Sequence, residues 1–260
     1  MFERSANWVN RLEYFPSIGS TDTYLEEVST TEAAAWPDFS AVVADAQTAG
    51  RGRLDRDWLS PPGQSLAVSI LLRQVSAPAW LSAVTALSLL TTLRSFSAGM
   101  SAGLKWPNDL LVGEKKLAGI LVRATANAFV VGVGINLRPI PEFAVSSTSL
   151  QELGIDVTAD EFLARFLAGF RARYLRMRVE PSEFVTQSRS EYQRECLTVG
   201  RRVRVELPAA GAAGAGEELV GLATGIDESG RLLVARESDF GDSAESIALA
   251  AGDVWHLRNL

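Results

Sequence analysis

The chain has one cysteine, Cys196, and one histidine, His256, in 260 residues. A lone cysteine excludes an internal disulfide and any CxxC metal pair. A lone histidine excludes multi-histidine metal sites and leaves His256 as the only imidazole that could activate a serine or cysteine nucleophile. It reads as a strand-end residue. No apolar run reaches the ~18 residues of a membrane span, and no signal peptide opens the sequence. A cytoplasmic enzyme is therefore expected. The chain also lacks an excess of positive charge: its net charge is -6, which argues against a broad nucleic-acid-binding surface. Acidity of the whole leaves room for a local basic pocket that takes one small anion.

Hydrophobic residues make up 47% of the chain, which is enough for a packed globular core. The length suits one large domain, or a medium and a small one. Strands are expected at Arg11 to Phe15, Phe39 to Gln47 and Leu66 to Leu72, with a helix capped at Ser20 and running to about Val28. Pro78 to Phe96 reads as a buried helix. Leu104 to Trp106, Leu110 to Val112, Lys116 to Arg123 and Phe129 to Ile135 read as an antiparallel meander. These elements suggest an α+β fold: a mixed, mainly antiparallel sheet flanked by helices, with the helices on one face. Helices return from Thr158 to Val179 and from Pro181 to Tyr192. In the first, Phe162, Phe166, Phe170 and Tyr174 recur every four residues as an apolar stripe, and its arginines read as a solvated face. Five short strands follow Cys196 and suggest a small barrel or sandwich. Pro208 to Gly216 is a low-complexity loop with no assignable chemistry. The domain boundary is placed at 195, giving units 1-195 and 196-260.

Four segments carry chemical information. Lys105-Trp106-Pro107-Asn108-Asp109 followed by Lys116-Leu117-Ala118-Gly119-Ile120 sets lysines, an amide and a carboxylate around a hairpin. That combination suits an anionic, metal-bearing ligand such as a nucleotide. Gly50-Arg51-Gly52-Arg53 with Arg56 and Trp58 places three arginines within six residues, spaced by glycines. Such a loop offers forked positive charge and close backbone approach to an anion. Val131-Gly132-Val133-Gly134-Ile135-Asn136 puts alternating glycines at a strand end, where a ligand can come close. It is not the dinucleotide-binding pattern, because Leu137 stands where the last glycine would be. Ser20-Thr21-Asp22 puts hydroxyls at a helix start, where they cap the helix or bind a polar ligand.

Taken in order, Ser20-Thr21, Gln47 to Arg53, Lys105 to Asp109, Lys116 to Ile120 and Gly132 to Asn136 resemble the biotin protein ligase family, in the form without an N-terminal DNA-binding domain. Gly221 to Asp227 and Ala251 to Val254 extend the resemblance over nearly the whole chain. It implies a class II synthetase-like catalytic domain with a C-terminal SH3-like barrel. The implied activity is two-step: biotin and Mg-ATP give biotinyl-adenylate and pyrophosphate, and a carrier lysine then takes the biotinyl group and releases AMP. The implied partner is the biotin carboxyl carrier domain of acetyl-CoA, acyl-CoA or pyruvate carboxylase, with no nucleic acid and no membrane, acting as a monomer or homodimer.

By the same resemblance, Lys116, Arg51, Arg53 and Asp109 are the catalytic residues. Biotin contacts fall to Ser20, Thr21, Asp22, Gln47, Gly50, Arg51, Gly52, Arg53, Lys116, Gly119 and Gly132. ATP contacts fall to Arg53, Arg56, Trp58, Asn108, Asp109, Lys116 and Asn136, with no dedicated protein metal site. The loop Thr48 to Trp58 is expected to be mobile without ligand and to order over the adenylate. Asp22 stands where the family commonly has asparagine, and Leu54-Asp55 replaces a basic-glycine pair. A lipoate or octanoate ligase of similar fold and a non-catalytic biotin-binding module are the competing readings.

Overall fold

Alternation in two strands decides how the sheet is covered. Ser65–Leu72 (β3) and Phe129–Asn136 (β7) pair antiparallel at the centre of the sheet. Leu66, Val68, Ile70 and Leu72 of β3 and Val131, Val133 and Ile135 of β7 point to one face, where they join the main apolar core. Leu71 and Val130 point to the other face, because successive strand side chains alternate. The computed structural model describes residues 2–53, 56–143, 145–207, 218–236 and 246–257.

The seven-stranded sheet also contains Arg11–Phe15 (β1), Ser40–Ala44 (β2), Ala102–Lys105 (β4), Asp109–Val112 (β5) and Lys115–Ala124 (β6), in the order β1-β2-β3-β7-β6-β5-β4. Only β1 and β2 run parallel; the remaining neighbours are antiparallel, and β4 to β7 form the expected meander. Leu81–Phe96 (α3) and Ala159–Val179 (α4) cover the main-core face together with the short Glu3–Ala6 (α1). Thr21–Thr31 (α2) covers the opposite face, where Leu25 and Val28 meet Val42, Leu71 and Val130. The expectation of helices on one face is therefore corrected to both faces. At the Leu71–Val130 end the central strands are apolar on both sides, and either side left bare there would expose that surface to water.

Phe162, Phe166, Phe170 and Tyr174 of α4 are fully buried, as their spacing implies. The basic residues of α4 are held locally. Arg165 pairs with Glu161, Arg173 with Glu191 and Arg178 with Asp38, so the charge of these three is compensated by nearby carboxylates. No helix among the described residues is long and apolar enough to cross a membrane.

After Pro181–Glu195 (α5), five strands form a second antiparallel sheet: Arg202–Glu206 (β8), Glu218–Ile226 (β9), Leu232–Arg236 (β10), Ser246–Leu249 (β11) and Asp253–His256 (β12). The expected loop Pro208 to Gly216 lies outside the described residues. This sheet packs on the first part of the chain through specific polar links. Trp80 Nε1 donates to the Glu228 carbonyl at 2.8 Å, and Trp106 Nε1 donates to the Gly230 carbonyl at 3.1 Å.

His256 ends β12 at this junction. Arg201 Nη1 lies 3.3 Å from its Nδ1, and Thr198 Oγ1 lies 3.0 Å from its Nε2. A guanidinium only donates, so Nδ1 must accept and the ring is neutral. Burial, then the positive charges of Lys105 and Arg201, push its pKa down to about 4. The unfolded chain takes up this proton near pH 6.5 while the folded one refuses it, so stability falls as pH drops from 6.5 towards 4. His256→Gln should remove on the order of 1–2 kcal/mol of that loss, after allowance for solvent screening. Urea unfolding of both proteins at pH 7.5 and 4.5 measures it, and equal pH dependence would contradict the assignment.

Candidate active site

Three successive rungs of the first sheet present small and polar residues on the α2 face, beneath two adjoining spaces. There β3 presents Ser65, Ala67 and Ser69, and β7 presents Asn136, Gly134 and Gly132 directly opposite them. Gly119 of β6 lies opposite Gly134, and Asp109 of β5 lies opposite Gly119. Rungs two residues apart are separated by ~6.8 Å. Small and polar side chains here leave space that the apolar residues of the other face do not.

The two glycines of β7 hold separate objects. A Cβ at Gly132 would lie 2.3 Å from Asp22 Oδ1, and a Cβ at Gly134 would lie 2.3 Å from the Trp58 ring. The Trp58 ring thus rests on the bare middle rung. A Cβ at Gly119 would meet both Trp58 and Lys116 Cε at 3.0 Å. Trp58 stands between two spaces. One is a cavity of about 160 Å³ running past Thr21, Asp22, Gln47, Arg51, Arg53 and Lys116. The other is a wider recess of about 430 Å³ that shares Trp58, Arg56, Asp109 and Lys116 and adds Lys105, Asn136, Ile140 and Phe143.

At the helix start, Ser20 caps α2 by accepting from Thr23 N at 3.4 Å. Gln47 Oε1 accepts from Thr21 N at 2.8 Å and from Thr21 Oγ1 at 3.1 Å. Ser69 Oγ lies 2.7 Å from both Thr21 Oγ1 and Asp22 Oδ1. Asp22 is only 8% exposed. Burial pushes its carboxyl up to about 6, against the lowering effect of the Ser69 hydrogen bond; Glu26 raises it further and Arg123 lowers it.

The cations converge from the other side. Lys116 Nζ sits 2.7 Å from Asp109 Oδ1 and 5.3 Å from the centre of the Trp58 ring. Arg53 Nη1 donates to the Gly252 carbonyl at 3.3 Å, and Arg56 pairs with Asp253. Both contacts tie the arginine loop to the second sheet. The loop also closes on itself: Trp58 N donates to the Gly50 carbonyl at 2.9 Å and Gly52 N to the Arg56 carbonyl at 2.6 Å. Residues 54 and 55, where the loop departs from the family pattern, lie outside the described residues. Burial lowers the pKa of Arg53, opposed by the charge of Asp109. It lowers that of Lys105 too, again opposed by Asp109, with Lys116 and Arg56 adding to the depression.

Most residues singled out from the sequence line the smaller cavity: Thr21, Asp22, Gln47, Arg51, Gly52, Arg53, Arg56, Trp58, Asn108, Asp109, Lys116, Gly119 and Gly132. Asn136 opens on the wider recess instead, with Nδ2 donating to the Lys116 and Thr148 carbonyls. Ser20 and Gly50 stand behind the wall. A Cβ at Gly50 would meet the Trp58 carbonyl at 2.5 Å, so its role is to let the loop pack. Asn108 Nδ2 is engaged by the Ile120 carbonyl at 2.7 Å. Sequence reasoning assigned no role to Ser69 or Asp253, and marked Gly134 only as one of the alternating glycines where a ligand can come close. Ser69 was visible as a hydroxyl inside the apolar run of β3, and Gly134 as the second alternating glycine. Asp253 carries no local signal, because only the packing of β12 brings it to the cavity.

Residues 14–139 match the model of the Biotin/lipoate A/B protein ligase family. The biotin--[acetyl-CoA-carboxylase] ligase of Mycobacterium tuberculosis is 36% identical over 258 residues, covering 95% of this chain and 90% of that protein. The chain belongs to the biotin protein ligase family. The bifunctional ligase/repressor BirA of Escherichia coli is 31% identical over 85% of this chain and 68% of its own length. Among solved structures, the biotin protein ligase from Aquifex aeolicus in complex with biotin and ATP superposes with a TM-score of 0.76 at 28% identity, covering 96% of this chain and all of that one. The fold of the biotin protein ligases, with its mainly antiparallel sheet and C-terminal SH3-like sheet, is thus the fold of this member.

Proposed function

We propose that this biotin protein ligase family member activates biotin with ATP and transfers it to a lysine of a biotin carboxyl carrier domain, in the reaction that its Mycobacterium relative is named for. The observation that carries this reading is one cavity with two chemistries. Around Asp22 it offers a compact set of polar atoms on Thr21, Asp22 and Gln47, braced from behind by Ser69. Around Lys116 it gathers Arg51, Arg53 and Arg56. A cyclic urea ring suits the first set and an anionic carboxylate the second.

In the first half-reaction a biotin carboxylate oxygen attacks the α-phosphorus of ATP and pyrophosphate leaves. Both reactants are anions, so fixed positive charge is what brings them together. Lys116 would neutralise both, with Arg51 and Arg53 lining the same cavity. Trp58, Asn136 and the recess beyond them would hold the nucleotide, with Asn108 at the hairpin turn. Among the described residues no group of three or more His, Cys, Asp or Glu side chains gathers to hold a metal ion. Magnesium, which neutralises phosphate charge, would therefore arrive on the ATP, with Asp109 the carboxylate at hand. In the second half-reaction the carrier lysine amine attacks the acyl carbon, the C–O bond to phosphate breaks and AMP leaves. The arginine loop, already tied to Gly252 and Asp253, is in position to cover the adenylate and exclude water.

We further propose residues 1-195 as the catalytic unit and 196-260 as a cap that helps close the nucleotide site. The net charge of -6 favours a protein partner over a nucleic acid. Biotin-dependent exchange of pyrophosphate into ATP, followed by mass spectrometry of a carrier domain incubated with the protein, biotin and Mg-ATP, tests both halves. The expected result is exchange and one biotinyl adduct. Exchange without transfer would leave only the first half standing, and neither would reduce the chain to a binding module. Lipoate in place of biotin should give no exchange, because its dithiolane ring has no N–H to offer the polar set.

A further inference from the structure

Resting on that reading of the cavity, we propose that Asp22 is a specificity-determining residue: it selects a ring bearing an N–H donor by accepting that hydrogen as a carboxylate, so that ligand capture expels a proton from the pocket.

The geometry supplies three parts. The Asp22 carboxyl is held in place, because its Oδ1 accepts from Ser69 Oγ at 2.7 Å and the missing side chain at Gly132 leaves the space it fills. Its Oδ2 accepts no hydrogen bond among the described residues. Donors for it are scarce, because neighbouring protons are spent elsewhere. Thr21 gives both its N–H and its hydroxyl proton to Gln47 Oε1, and the single Ser69 proton is shared between Thr21 and Asp22.

The surrounding charges do not pin the carboxyl in its ionised form. On its own helix stands Glu26, and on β6 stands Arg123, which turns 3.4 Å towards Glu26. On β3 and β7 the neighbours are Ser69, Ala67, Gly132 and Gly134, all uncharged. Arg51 and Arg53 reach the same cavity from the loop, and Arg53 is engaged at the Gly252 carbonyl. Burial therefore leaves the group titrating near pH 6 in the ligand-free protein. An N–H presented by a bound ring forms a charge-assisted hydrogen bond with the carboxylate and holds it ionised. A ring without that donor would seal an unpaired carboxylate in the pocket, which is how a site built for a donor rejects its analogue.

The test is the pH dependence of biotin affinity, measured calorimetrically from pH 8 to pH 5 in buffers of different ionisation enthalpy. Wild type should bind about tenfold more weakly at pH 5 than at pH 8, because the proton must be displaced below its titration point. It should release a fraction of a proton on binding at pH 6. Asp22→Asn should show neither effect. Two variants that leave Asp22 in place move the midpoint in opposite directions. Ser69→Ala removes a bond to the ionised form and shifts it upward, and Glu26→Gln removes a like charge and shifts it downward. A flat wild-type profile with tight binding throughout would overturn the inference and leave the ligase reading intact, as would parallel profiles in wild type and Asp22→Asn. Absence of biotin binding by wild type at pH 8 would overturn both.

Discussion

Lys116→Ala is expected to cut biotin-dependent ATP–pyrophosphate exchange by roughly 10²–10⁴-fold. In the first half-reaction two anions must meet while negative charge moves onto the departing pyrophosphate. A fixed cation at their junction acts more strongly in the transition state than on either reactant alone, so its loss falls on the rate. Trp58 sits against the lysine, at 5.3 Å from Nζ to the ring centre, and limits water around it. The fold should survive. Lys116 is partly exposed, and its salt-bridge partner Asp109 still feels Lys105 and Arg53 nearby. Lys116→Arg is not a rescue, because the planar fork needs width where Trp58 and Gly119 lie against the lysine. Exchange by Lys116→Ala at the wild-type rate, in a protein with unchanged circular dichroism, would remove Lys116 from the mechanism.

Gly132→Ala and Gly134→Ala should separate the two ligands. A Cβ at position 132 would lie 2.3 and 2.6 Å from the Asp22 carboxylate oxygens and 2.7 Å from its Cγ. Asp22 is buried at the start of α2 and bonded to Ser69, so it has little room to give. Overpacking of this kind costs about 1–3 kcal/mol, and biotin affinity should fall roughly 10–100-fold with ATP binding spared. A Cβ at position 134 would instead strike the Trp58 ring at 2.3 to 2.6 Å. That ring belongs to a loop and can be pushed away, which dismantles the wall shared by the two spaces and should weaken ATP binding more than biotin binding. Calorimetric titration of each variant with each ligand gives the comparison. Unchanged biotin affinity in Gly132→Ala would show that Asp22 is not part of that pocket.

The strands and helices were legible because their patterns are local. The four-residue recurrence from Phe162 to Tyr174 marked the buried stripe of α4, and the alternation in β3 and β7 marked central strands. The same alternation held the site's floor in plain view: Ser65, Ala67 and Ser69 against Gly132, Gly134 and Asn136 form one face of small and polar residues. What could not be read was which face that would be. Helices were expected on one side only, yet the apolar residues Val42, Leu71 and Val130 require α2 on the other. That placement is what brings Thr21 and Asp22 over Gly132.

Sequence by itself determined the family, the order of elements and the chemical types at the site, since each rests on residues near one another in the chain. The single histidine and single cysteine also excluded an internal disulfide, a CxxC metal pair and a multi-histidine metal site before any fold was known. Only the tertiary structure decided how those residues share one cavity. It laid Trp58 on the bare rung at Gly134, seated Asp22 in the space left by Gly132, and brought Asp253 from the last strand to Arg56. These are contacts between segments up to 197 residues apart. Their formation depends on sheet register and on the docking of the second sheet, neither of which is encoded in any local stretch of chain.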